Sequence, residues 1–420
     1  MALSNNVLLL LVVLMTVINW QAANALRADM KRVDSSNMTS SQRLHAAVLR
    51  SNARLRRIGS SVRGAAAFMS MDVDAPVNRG NNLSEFLITM AIGTPPRKMV
   101  AMLDTGITTD ILSNETLTLW DTSGNQQSFA GITFGCSHDT PRGDGFSEAD
   151  DVFGLVRGSL SFVSQMGSSV GSRFSYCLTS FMDDSPSDSS PLLFGTVANL
   201  TETIRVQSTP MIENIIRKDL NTLYYISVMS IGVGQKMVFV PKGTFDIQQD
   251  GSGGFIIDSG SAVSYLTPAA FTGVAKAIDS VVKWDRADGS DYGFSLCYHV
   301  PQGNDSNGFP DISFIFEGGA EYVVDQKYNF RLVNKTSGLV CVLILEMDEA
   351  MAAASPSILG NYHQQNYHIL YDNDNQMLSF VRASCASLSQ PAFDQTFSDA
   401  QSPKPANTQS SAHVNAVNYG

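Results

Sequence analysis

From about residue 82 onward, apolar and polar residues alternate in short runs such as 85–92 and 224–233, separated by Gly, Pro, Asn and Asp. A period of two turns one face of each run toward a core and the other toward water, so these runs predict strands joined by turns. Residues 268–282 break the pattern. Proline opens that stretch, and Phe271, Val274, Ala275, Ile278 and Val282 fall at helical spacing, which predicts a helix. A second helical stripe, Leu44, Val48, Leu49, Leu55 and Ile58, follows a capping serine at Ser40 or Ser41. Beyond Cys385 no apolar period remains, and residues 390–420 read as a flexible tail. The expected fold class is therefore mainly β.

A chain of 420 residues is too long for one ordinary core and suits two lobes plus processing segments. With 44% hydrophobic and 16% charged residues the composition is globular. The apolar run 7–18, followed by Ala23-Asn24-Ala25, reads as a secretory signal over residues 1–25, too short to span a bilayer. The tail lacks the hydrophobic terminus of a lipid-anchor signal, so no stable membrane anchor is expected. Charge is uneven. Residues 26–63 hold nine basic and two acidic side chains, net +7, whereas the rest of the chain holds 19 basic and 37 acidic, net −18. Behind a signal peptide, a basic leader is not a nucleic-acid arm but a prosegment, residues 26–70, able to dock a helix as well as charges. Glycan acceptor sequons occur at Asn37, Asn82, Asn114, Asn199, Asn304 and Asn334, the last five beyond the prosegment. The implied compartment is oxidising.

The strongest internal signal is a repeat. Met102-Leu103-Asp104-Thr105-Gly106 recurs as Ile256-Ile257-Asp258-Ser259-Gly260, and each copy has a downstream partner, Val152-Phe153-Gly154 or Ile358-Leu359-Gly360. A single Asp-Ser-Gly is usually just a turn. Two copies, each ending an apolar strand, imply a duplicated lobe and a pair of carboxylates. Hydrolysis of a peptide without metal or covalent nucleophile needs one group to take a proton from water and another to give one to the carbonyl oxygen. Two close carboxylates cannot both ionise freely, so they share a proton and do both. Thr105 and Ser259 supply hydroxyls, Gly106 and Gly260 let the backbone turn tightly, and Ser261 adds a hydroxyl beside Asp258. The six histidines offer no metal set; His363 and His368 lack further ligands and read as packed or solvated.

Residues 84–385 resemble the pepsin-like aspartic proteases. The plant nepenthesin-like branch is indicated by Glu85-Phe86-Leu87, Ile92-Gly93-Thr94-Pro95-Pro96, Phe134-Gly135-Cys136, Phe174-Ser175-Tyr176-Cys177 and Ile358-Leu359-Gly360-Asn361. The resemblance implies a bilobal β fold with a central cleft, lobes at 71–210 and 211–389, and Asp104 and Asp258 as the catalytic pair. It further implies acid cleavage of peptide or protein substrates by a monomer, with no cofactor and no metal, in the extracellular space or vacuole. Disulfides Cys177–Cys385 and Cys297–Cys341 are implied too, leaving Cys136 over.

Three departures stand out. Asp258 to Gly360 spans 102 residues but Asp104 to Gly154 only 50, so the first lobe is expected to be shortened, with the join near 110–113. In the family that interval carries a flap with a tyrosine, yet all twelve tyrosines here lie at or after Tyr176. Ile107 stands where the family has Ser or Thr. Two alternatives follow: a non-catalytic, inhibitor-like binding protein on the same fold, or a defective splice or gene product with exposed sheet edges. Both aspartates favour the enzyme; the absent flap and Ile107 favour the binder.

Overall fold

The computed structural model describes residues 25–32, 40–62, 86–105, 111–120, 126–136, 151–167, 170–180, 189–200, 205–218, 220–301 and 308–388. The signal run, the tail, the side chain of Cys136, and Asn37, Asn82, Gly106, Ile107 and Asn304 lie outside them.

Asp104 ends a strand and Asp258 directly follows one, and the two strands are built alike. Arg97–Asp104 runs parallel to Asp151–Gly154, with Asp104 opposite Gly154. Phe255–Ile257 runs parallel to Ser357–Leu359, with Ile257 opposite Leu359. The two downstream apolar-apolar-Gly tripeptides therefore return to the side of the aspartate they follow. Parallel pairs need crossover connections. In the first lobe the described part of that crossover is one hairpin, Ile111–Trp120 with Gln126–Cys136. In the second it holds the helix Pro268–Asp279 and most strands of two further four-stranded sheets. Those contents are the physical meaning of the unequal intervals in the sequence.

The aspartate strands belong to a sixteen-stranded sheet that runs through both lobes of this mainly β, bilobal molecule. Where the lobes join, Arg173–Cys177 pairs with Tyr367–Asp372. Phe174 stacks on Tyr371 at 4.5 Å, and the Tyr176 hydroxyl lies 2.8 Å from that of Tyr371. Burial raises the pKa of both phenols, so this layer stays neutral. The structure contains Cys177–Cys385, at the end of this layer, and Cys297–Cys341, across a pair of adjacent strands.

The expected helix at 268–282 is observed as Pro268–Asp279, burying Phe271, Val274, Ala275 and Ile278, while Val282 follows it half-buried. The run 224–233 divides into Tyr225–Ile226 and Val228–Val233 because its halves pair in different sheets. Near the N-terminus, Ala25–Arg32 inserts as a strand between Phe86–Ile92 and Ser189–Gly195, with Ala28 and Met30 buried. The helix Ser40–Val62 then lays Leu44, Ala47, Val48, Leu55 and Ile58 onto second-lobe residues including Phe294, Tyr265 and Val333. Leu49 does not join them and is 46% exposed, since consecutive helical residues sit about 100° apart and Val48 takes the inward position. No described helix is long and apolar enough to cross a membrane.

Candidate active site

Asp104 and Asp258 are fully buried and meet at one guanidinium. Arg54, from the inward face of the Ser40–Val62 helix, donates through Nε to Asp258 Oδ2 at 2.7 Å and through Nη2 to Asp258 Oδ1 at 3.1 Å. Its Nη1 and Nη2 also donate to the two oxygens of Asp104. A planar fork with five donors suits two carboxylates at once, which a lysine could not match. Burial alone would lower the Arg54 pKa; the charges of Asp104 and then Asp258 outweigh it and raise it. Arg54 therefore stays charged at every working pH.

Of the supporting groups expected from the repeat, the Thr105 and Ser261 hydroxyls and the Gly260 amide make contacts at the site, whereas the buried Ser259 hydroxyl has no hydrogen-bond partner among the described residues and Ser259 contributes its main-chain N–H instead. Gly260 N donates to Asp258 Oδ1 at 3.0 Å and Ser261 Oγ to Asp258 Oδ2 at 2.7 Å. Across the lobes, Ser259 N donates to Thr105 Oγ1 at 3.0 Å. Gly260 is needed for close approach: a Cβ there would lie 2.7 Å from Arg54 Cζ and 2.8 Å from Asp104 Cγ. From below, Asp258 N donates to Leu359 O at 3.1 Å, tying the aspartate to the returning strand.

The helix carrying Arg54 is held by more than charge. Ser51 Oγ accepts from Ala262 N, Asn52 Oδ1 accepts from the Tyr265 hydroxyl, and Ser355 Oγ donates to Leu55 O. At the other end of the segment, Arg27 Nη2 donates to Leu388 O at 2.8 Å. Among nine basic leader residues, composition could not single out Arg54. One signal was available: Ala47, Ser51, Arg54 and Ile58 follow helical spacing, so an arginine occupies a buried stripe where an apolar residue is normal.

Of the sequons described, Asn114 and Asn199 are exposed. Asn334 is half-buried, and its Nδ2 donates to the Tyr292 hydroxyl at 2.8 Å. A glycan on that nitrogen would displace the phenol. Glycopeptide mapping is expected to find Asn199 occupied and Asn334 bare; a glycan on Asn334 with the Tyr292 contact intact would contradict this.

Two family profiles match in chain order, one described as xylanase inhibitor N-terminal over residues 107–196 and one as xylanase inhibitor C-terminal over 223–382. The aspartic proteinase nepenthesin-2 of Nepenthes gracilis is 29% identical over 86% of this chain and 90% of its own. That alignment runs over 430 positions, more than the 420 residues here, and so requires gaps on this chain's side. In architecture the chain is similar to the crystal structure of edgp, with a TM-score of 0.64 at 13% identity over 87% of this chain and 96% of that one. It is also similar to an aspartic proteinase from Irpex lacteus, with a TM-score of 0.50 at 14% identity over 72% of this chain and 95% of that one. With the repeated aspartate loops facing each other across two lobes, these likenesses place the chain in the plant pepsin-like aspartic protease family.

Proposed function

We propose that this chain is the secreted precursor of an acid endopeptidase in which Asp104 and Asp258 activate one water against a peptide carbonyl. The observation that carries the reading is that two loops 154 residues apart bring both carboxylates onto a single guanidinium. In the closed form Arg54 occupies the position where water and substrate would sit, so the segment 26–70 acts as a prosegment. Protonating either carboxylate removes a charge that Arg54 pairs with, and acid then loosens the helix. Once it leaves, two like charges remain close together and share one proton, which supplies both the base and the acid. Thr105, Ser259, Gly260 and Ser261 hold the pair, and the substrate is a peptide or protein.

The first lobe tempers this activity. With no tyrosine before Tyr176 and only 50 residues between Asp104 and Gly154, the interval offers no flap tyrosine to fix the substrate and, among the described residues, a single hairpin to exclude water. Loss of about 1 Å of positioning can cost roughly a hundredfold in rate. A non-catalytic binding role on the same fold is the second reading, favoured by Ile107 and by the xylanase-inhibitor description of both matching profiles. The test is cleavage of an unfolded protein substrate by the acid-treated secreted chain. Cleavage that peaks in acid and is blocked by a statine-type transition-state mimic is expected. Cleavage indifferent to the mimic, or none between pH 2 and 5, would sink the enzyme reading.

A further inference from the structure

Behind Asp258 lies a second buried titratable group that the water-activating chemistry does not use. His363 is 1% exposed and sits in the short turn Asn361–Gln364 that follows Gly360. Its Nδ1 lies 2.6 Å from Ser264 Oγ, and that same oxygen accepts from Gly360 N at 2.9 Å. Gly360 is pressed against the opposing backbone, since a Cβ there would lie 2.3 Å from Val263 O. The next residue completes the clamp: Asn361 N donates to Ser261 O at 2.7 Å and Asn361 Nδ2 to Ser259 O at 2.9 Å. Imidazole, hydroxyl, glycine amide and asparagine thus form a continuous chain of contacts ending on the two residues beside Asp258 whose groups orient the loop.

Ser264 Oγ can accept twice but has one proton and no other described acceptor for it, so that proton goes to His363 Nδ1, and the neutral ring carries its hydrogen on Nε2. An imidazolium would aim an Nδ1–H at the same oxygen. Ser264 would then have to turn its proton away, and no other acceptor is among its described hydrogen bonds. We propose that His363 is a positioning residue for Asp258, acting through Ser264 and the Gly360–Asn361 turn only while its ring is neutral, and so sets the acid limit of the site. The proposal rests on the reading of Asp258 as half of a catalytic pair.

Burial pushes the His363 imidazole down to about 3, opposed only by the main chain of Tyr328. No charged group contributes to that shift. Tyr322 donates its hydroxyl to His363 O at 3.0 Å, Tyr362 precedes it, and phenols are uncharged in acid. Asp325, at the head of the Gln326–Asn329 helix, is paired with Arg382.

The experiment uses the full secreted chain, labelled with 15N at histidine and glycine, as wild type and as His363→Gln, whose side-chain oxygen can accept from Ser264 without titrating. In wild type the His363 ring is expected to hold the Nε2–H form from pH 7 to 4. It should titrate near 3, with the Gly260 and Gly360 amide signals moving in step. In His363→Gln those amides should stay still over the same range. Acid cleavage, normalised to each protein's own maximum, should fall about tenfold per pH unit below the transition in wild type and persist to lower pH in the variant. A ring that titrates near its ordinary value, glycine amides that ignore it, or an acid limb unmoved by His363→Gln would overturn the proposal. If neither protein cleaves anything, the enzyme reading fails, and the ring and amide signals still decide this one.

Discussion

Replacing Asp258 by asparagine is expected to lower kcat/KM for acid peptide cleavage by about a thousandfold, within the range that general acid–base groups contribute. That loss corresponds to about 4 kcal/mol of barrier. Asparagine matches the carboxylate in size; its Oδ1 can still accept from Gly260 N, and its Nδ2 can donate to a turned Ser261 Oγ, so the loop keeps its shape. What it cannot do is take or give the shared proton. The comparison belongs on leader-free protein with both disulfides intact, because the same change removes one of the charges Arg54 pairs with and would alter release of the leader. Undiminished cleavage by Asp258→Asn would mean that the proteolysis arises elsewhere.

The second large effect concerns the leader. Arg54→Met is expected to weaken the hold of the Ser40–Val62 helix by about 3 kcal/mol, roughly a hundredfold, because removing one partner of a buried ion pair strands the other. Here two carboxylates would be stranded, and like charges at that distance force one of them to take up a proton. The sign of the pH effect follows from Arg54 itself. Its pKa is raised, so its contribution is fully present below the ordinary arginine value and is lost only as pH rises through the raised one. Acid must therefore act through the carboxylates, and the closed form is strongest at neutral pH. Amide exchange across residues 44–58 should be slow at pH 7 in wild type and fast in Arg54→Met, with Arg54→Lys between them. Added salt should matter little, since the contact is buried, whereas exposed leader charges would be screened over about 10 Å at 0.1 M. Equal protection in wild type and Arg54→Met at pH 7 would show that the apolar face alone holds the helix.

The uneven reliability of the sequence has a physical pattern. The strands that carry the aspartates, the helix after Pro268 and the returning apolar-apolar-Gly segments were legible because each depends on period, chain direction and a glycine turn within a few residues. The stripe on the leader helix was legible as a stripe but not in its exact membership: Leu49 looked inward and is not, while Arg54 looked like one more solvated charge. Which leader cation reaches the aspartates depends on where a helix lands, and nothing local encodes that.

The chain's residues alone determined the pair of aspartates, the duplication and the short interval between Asp104 and Gly154, since all are written as spacing and residue type; the disulfide partners came only from the family resemblance. Only the tertiary structure decided that Arg54 closes on both carboxylates, 50 and 204 residues away, and that Gly260 leaves room for it. It alone also placed the His363 ring against Ser264, 99 residues earlier, beneath the loop that carries Asp258. Such contacts form when separate strands and a docked helix bring distant polar groups into one dry volume. There each group must find a partner, and the partner is chosen by proximity in space rather than by order along the chain.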